Sequence, residues 1–294
     1  MANTIDTGLI NEVISQNVIQ AYNDALTPMS VFSTSYGNGS DKIVNVPSFA
    51  ADTASNWAGD YTTGADATVS NIAVTIDSHK YVTIHLTDKE AMDHDSATLA
   101  NLGIQAGQAL ADAVFADVLA DVTAANFGAA AFTGLASTFD SDDVVDIKDA
   151  CDTANLPRLN RGLLLDPSYF NALLKDTSIK DASAYGSSDA VQGGLIERLN
   201  GFKIYETPAI PANGENLVGF ACTPGAIGLA VRYLQPLNTS AYAQTQMLTH
   251  AETGLTLGSR MFSLPETGAT YFSFECNYGS AVARGADIKR MVSV

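Results

Sequence analysis

At 294 residues, with 46% hydrophobic side chains, the chain can build one large domain or two ordinary ones around a real core. Only 16% of residues are charged, against roughly 25% in ordinary soluble domains, and the net charge is −17. With no long basic run, that balance argues against electrostatic nucleic-acid binding, and no apolar stretch of 18 residues marks a membrane span.

The start, Met1-Ala2-Asn3-Thr4-Ile5-Asp6, lacks the basic residues and apolar run of a signal peptide. Leu9, Ile10, Val13, Ile14, Val18 and Ile19 then recur at helical spacing until Thr27-Pro28 stops the helix. A flexible connector, "STSYGNGSDK", follows, then a short strand at 42–49 and a polar, Gly-rich excursion over 50–71. Beyond it Ile72, Val74, Ile76, Val82, Ile84 and Leu86 alternate with Asp77, His79, Thr83 and His85, as one extended segment. Two extended segments around a long polar tip predict a protruding hairpin, marginal alone and in want of a neighbour to lie on.

Residues 97–124 carry the clearest helical signal, with Leu102, Ala106, Leu110, Val114, Val118 and Val122 at four-residue steps. Such a helix runs about 40 Å and serves as a spine. A second helix is expected over 138–156, with Asp140 or Ser141 as cap. In "LPRLNRGLLLDPSYFNALL", Arg161–Leu165 reads as a buried central strand, Asp166 as an N-cap and Pro167 as a first helical residue. Phe202–Glu206 reads as a strand ended by Pro208, and 217–232 as a strand, a Pro-Gly turn and a second element that is helix or strand. Further strands are expected at 245–250, 254–263, 270–278 and 286–293. The sum is an α+β chain with extended arms.

Little in this order is reactive. His79 and His85 share a strand face, but six residues along a strand is about 20 Å, too far to share a metal. Asp88, Glu90, Asp93, His94 and Asp95 lack the spacing of a calcium loop. Asp140, Asp142, Asp143 and Asp146 form a helix start, where carboxylates suit the helix dipole. Arg284, Lys289 and Arg290 read as solvated charges beside a terminal strand. Cys151, Cys222 and Cys276 are odd in number and widely spaced, so small buried hydrophobes are expected rather than disulfides or a zinc site. No Gly-x-Ser-x-Gly, P-loop or dinucleotide loop occurs. No catalytic residue, metal or cofactor is therefore expected, and no enzyme. Trp57, the single tryptophan, either tucks onto its own hairpin or anchors on a neighbouring subunit, as tryptophans do at interfaces; Tyr61, in the same excursion, is the second candidate for such contact.

"LPRLNRGLLLDPSYFNALLKD", "VQGGLIERLNGFKIYETPAIP" and "YGSAVARGADIKRM", in this chain order, resemble the major capsid proteins of tailed bacteriophages, the Hong Kong 97-type fold. The resemblance implies an N-terminal arm at 1–40 and an extended E-loop hairpin at 41–87. It implies a peripheral domain with the spine helix at 88–136, an α/β axial domain at 137–244, and C-terminal strands at 245–294 returning to the peripheral domain. It implies a shell subunit that assembles as pentamers and hexamers into an icosahedral head around double-stranded DNA, without sequence-specific binding. Scaffolding, portal and decoration proteins are the other partners it suggests; the place is the virion, after assembly in the bacterial host cytoplasm. No lysine lies in 50–71, so the expected lock is non-covalent, by arm and hairpin overlap. An encapsulin-like compartment shell is the alternative, and an enzyme or another virion structural protein stands further off.

Overall fold

The computed structural model describes residues 7–38, 41–49, 56–57, 69–93, 96–180, 196–210, 213–249 and 253–294. In chain order the elements are α1 (Thr7–Leu26), β1 (Ser33–Asn38), β2 (Ile43–Phe49), β3 (Val69–Thr75), β4 (Ser78–Thr87), α2 (Asp88–Asp93), α3 (Ser96–Ala120), α4 (Ala124–Phe127) and β5 (Phe132–Thr133). Then follow α5 (Ser141–Thr153), β6 (Gly162–Leu165), α6 (Pro167–Lys175), α7 (Thr177–Lys180), β7 (Arg198–Leu199), β8 (Phe202–Glu206), β9 (Leu217–Cys222) and β10 (Ile227–Val231). Four strands complete the described elements: β11 (Gln244–Thr249), β12 (Thr256–Leu264), β13 (Ala269–Val282) and β14 (Ile288–Val292).

The described strands form three sheets. One runs β1-β10-β13-β12-β11, with β4 also paired to β13; a second runs β5-β14-β9-β6-β8-β7; β2 and β3 form a hairpin of their own. The second sheet lies between two cores, and β6 explains how. Leu164 faces the core shared with α1, α3 and the first sheet, whereas Leu163 and Leu165 face α5 and α6. A strand alternates its side chains between faces, so a strand covered on both reads as the unbroken apolar run Gly162–Leu165, buried throughout. The ambiguous element after Pro224-Gly225 is a strand, β10, also buried throughout.

Local chemistry sets the helix boundaries. Asp140 accepts from the backbone N of Asp142 and Asp143, while the Asp143 side chain accepts from the N of Asp140, a reciprocal capping box. Asp166 accepts from Ser168 N at 2.8 Å ahead of Pro167. Asp176 joins two helix starts, accepting from Ser141 N at 2.9 Å and Ser178 N at 3.0 Å. Burial works against its charge, but these hydrogen bonds outweigh it and hold the carboxyl at about 2. A depressed folded-state value means stabilisation that is present above the ordinary carboxylate value near 4 and fades as pH falls toward 2. Asp176→Ala is expected to cost about 1 kcal/mol at neutral pH, a difference that vanishes near pH 2 when urea midpoints are compared.

The structure departs from sequence expectation at both ends of the first core. The segment 72–86 is not one strand: it breaks at Ile76-Asp77, and β4 leaves the hairpin to pair along β13 from Ser78↔Tyr278 to Thr87↔Ala269. The helix of the segment that the resemblance implies is an arm lies on the spine helix of its own chain. Ile14, Val18, Tyr22 and Leu26 are buried there with Leu110, Val114 and Val118. The close approach depends on Gly103 and Gly107, four residues apart and so on one helix face. A Cβ at Gly107 would stand 2.5 Å from Val18 O, and one at Gly103 would stand 2.9 Å from Ile14 O. Alanine is the better helix former by about 1 kcal/mol. Gly107→Ala is nonetheless expected to lower stability by about 1 kcal/mol net, because overpacking against backbone outweighs propensity; a lowered urea midpoint with unchanged slope is the readout.

Candidate assembly surface

Several of the polar residues singled out in the sequence are engaged in holding the fold. Asp140 and Asp143 are engaged in capping. Glu90 accepts from Thr87 N at 2.9 Å and caps α2; His94 and Asp95 lie outside the described residues. His85 meets Tyr271 at a tilt, with ring centroids 5.1 Å apart and planes at 40°. His79 Nε2 lies 3.2 Å from Glu275, whose other oxygen meets Arg260. His250 is outside the described residues, and no group of three or more metal-ligating side chains occurs among those described. All three cysteines are buried and unpaired with one another. Burial lifts the Cys151 thiol to about 11 and Cys276 to about 12, and pushes Cys222 higher still.

The basic residues near β14 are not all solvated. Arg290 is 3% exposed and paired with Glu215, and its Nη1 donates to Gly128 O at 3.1 Å. Glu215 also accepts from Ala124 N at 2.8 Å, at the start of α4. The cluster joins the end of the spine region to the second sheet. Arg161 is likewise buried, donating to Leu156 O at 2.5 Å and Pro157 O at 2.9 Å and pairing with Asp152 at 2.8 Å. Sequence reading places Arg161 in a buried strand but misses Arg290, because an arginine beside a strand looks solvated until its partners, distant in the chain, are brought up.

The first sheet leaves one face open along β4, while the segment 233–242 reaches across it at β12. Residues directly opposite across a ladder share a face, so the registers Tyr271↔His85, Ser273↔Thr83 and Glu275↔Tyr81, with Phe262↔Tyr271 and Arg260↔Ser273, define it. The opposite face, with Ile84, Leu86, Phe272 and Phe274, packs into the core of α1 and α3. Across the open face runs an aromatic row. Phe262 and Tyr271 stack at 5.1 Å with planes 4° apart, Tyr242 meets Phe262 edge-on at 6.0 Å, and Tyr81 stands 67% exposed. Glu275 is answered by Arg260 and His79, so the face carries almost no net charge.

The hairpin emerges beside this sheet. Val46, Val74 and Ile76 are buried against Ala230 at its base, and Ile43 is 51% exposed. Trp57 is 63% exposed; Tyr61 lies outside the described residues. The aromatic row was missed in the sequence because Tyr271, Phe262 and Tyr242 become neighbours only through strand register.

A family model described as phage capsid protein matches residues 73–261. The chain belongs to the phage capsid protein family. This capsid protein is similar to solved structures across nearly its whole length. The capsid of cyanophage P-SCSP1u aligns with a TM-score of 0.61 at 18% identity, over 89% of this chain and 86% of that one. Mycobacterium phage Che8 gives a TM-score of 0.56 at 18% identity, over 90% and 87%. A virus-like particle from Pyrococcus furiosus gives 0.57 at 13% identity, over 95% and 98%. Among curated proteins, none matches. At these identities the structural likeness speaks for the fold, the Hong Kong 97-type capsid fold, and the family match makes the chain a structural subunit of a capsid shell. No described helix is long and apolar enough to cross a membrane.

Proposed function

We propose that this is the major shell subunit of a tailed-phage head. It assembles as pentamers and hexamers into an icosahedral shell around double-stranded DNA, guided by scaffolding and portal proteins in the host cytoplasm. The observation that supports this reading most is the pairing, in one chain, of the β2–β3 hairpin with a nearly uncharged aromatic sheet face. Two copies at a net charge of −17 repel, so contact is favourable only where charge is absent and apolar area is available. We assign residues 1–40 to the arm, 41–87 to the E-loop and its stalk, 88–136 with 245–294 to the peripheral domain, and 137–244 to the axial domain. Trp57 and Tyr61 near the hairpin tip are assigned to contact with a neighbouring copy. The lock is non-covalent, so mature shells are expected to run as single subunits on denaturing gels.

Expression followed by negative-stain microscopy tests the reading. Closed icosahedral particles are expected, and deletion of residues 50–68 is expected to leave a folded subunit that assembles weakly. Normal, stable shells from that deletion would remove the hairpin from the lock. The likeness to the Pyrococcus furiosus particle keeps an encapsulin-like compartment as the second reading. Particles purified from infected or native cells decide between them: packaged DNA supports the head, an enclosed protein cargo the compartment.

A further inference from the structure

We infer that β11 is a second assembly surface, pairing antiparallel with β11 of another copy across a two-fold axis and joining their first sheets into one. The inference rests on the shell reading but concerns a different surface from the hairpin lock. A strand at the end of a sheet presents unpaired backbone donors and acceptors, and proteins protect such edges by shortening them, bending them or charging them. In the two six-stranded sheets the other end strands are protected in these ways. β5 and β7 are two residues long. β1 loses register between Ser35 and Asn38. β4 carries Lys80, paired at 2.9 Å with Asp117 of the spine helix.

β11 has none of these protections. It keeps regular register with β12 over six residues, from Gln244↔Met261 to Thr249↔Thr256, and no strand lies on its far side among the described residues. Its sequence, Gln-Thr-Gln-Met-Leu-Thr, holds no charge and no proline. Met247, opposite Gly258, points to the open aromatic face and is 51% exposed; Leu248, opposite Leu257, packs against the core. The strand is therefore held firmly from behind while its edge is open.

A second copy is the occupant that fits. An uncharged strand can lie against its own copy without the like-charge repulsion that the rest of this acidic chain imposes. An isologous contact makes each residue meet the same short segment of its partner. Such a six-residue ladder is weak between two free subunits, and it becomes effective when many identical contacts act together in a closed particle.

The test uses assembled particles of the full chain. Thr245→Cys, Gln246→Cys, Met247→Cys and Leu248→Cys are made singly; the three native thiols are buried and stay silent. Mild oxidation is expected to give a covalent dimer from one or two adjacent positions, with the bridge mapped from β11 to β11. Met247→Lys is expected to cut particle yield about tenfold by placing like charges together at many contacts. Mixing Met247→Lys with Met247→Glu subunits is expected to restore it, which a folding defect would not allow. Absence of dimer at all four positions, a bridge to a different segment, or Met247→Lys assembling like wild type would each overturn the pairing while leaving the shell reading intact. Wild-type chains that form no particle would overturn the shell reading and this pairing with it.

Discussion

Glu215→Ala is expected to destabilise the subunit by about 4 kcal/mol, a cost typical of stranding one member of a buried ion pair. Arg290 would keep its hydrogen bond to Gly128 O but lose the one anionic partner it has among the described residues, at 3% exposure. Ala124 N would lose its acceptor at the same time. Removing the charge on both sides separates the two costs. Arg290→Met alone leaves Glu215, which is 31% exposed at its side chain and reaches water, so a smaller loss is expected. The double variant Glu215→Ala, Arg290→Met is expected to recover most of what Glu215→Ala loses. Urea midpoints for the four proteins give the coupling directly, and a double-variant loss equal to the sum of the two single losses would show that the ion pair contributes nothing.

Gly279→Val should act on assembly more than on folding. Gly279 lies in β13 opposite Ala230, directly beneath the end of β3. A Cβ there would stand 2.0 Å from Thr75 O, 2.7 Å from Thr75 C and 3.0 Å from Ile76 Cα. All three atoms are backbone, so no rotamer change relieves the collision, and the hairpin must lift from the sheet. A loss of about 3 kcal/mol is expected for such overpacking. The base of the hairpin also sets where its tip points, and a few degrees at the base move a distant tip by several ångströms. Shell formation is therefore expected to fail in Gly279→Val. Val74→Ala loosens the same contact without displacing backbone, costs about 2 kcal/mol, and is expected to assemble. Should the two variants assemble equally well at equal stability, the hairpin's direction does not matter.

Periodicity and caps made most elements legible in advance. The spine helix, the Asp140 and Asp166 caps, the buried strand before Asp166 and the four C-terminal strands are all local signals, written within a few residues of where they act. What stayed hidden depends on long-range pairing. The break at Ile76-Asp77 is invisible because both halves alternate in phase, and only β13 separates them. The α1–α3 contact had a sequence signal, Gly103 and Gly107 at a helical interval, but its partner lies some 90 positions earlier in the chain and carries no mark of its own. Arg290 was misread as solvated because Glu215, Ala124 and Gly128 meet it only in the folded chain. The assembly surface was legible least of all: Trp57 and Tyr61 stood out by residue type, while the aromatic row and the edge of β11 are products of register.

The three cysteines lead to a last point. With Cys151 held at about 11, Cys276 at about 12 and Cys222 beyond both, scarcely any thiolate exists at neutral pH, and thiolate is the reactive form. None of the three thiols of the folded chain is therefore poised to form a bridge when its surroundings turn from reducing to oxidising. Copies of the chain thus meet in oxidising surroundings as they meet in reducing ones, with no sulfur bridge drawn from these three positions.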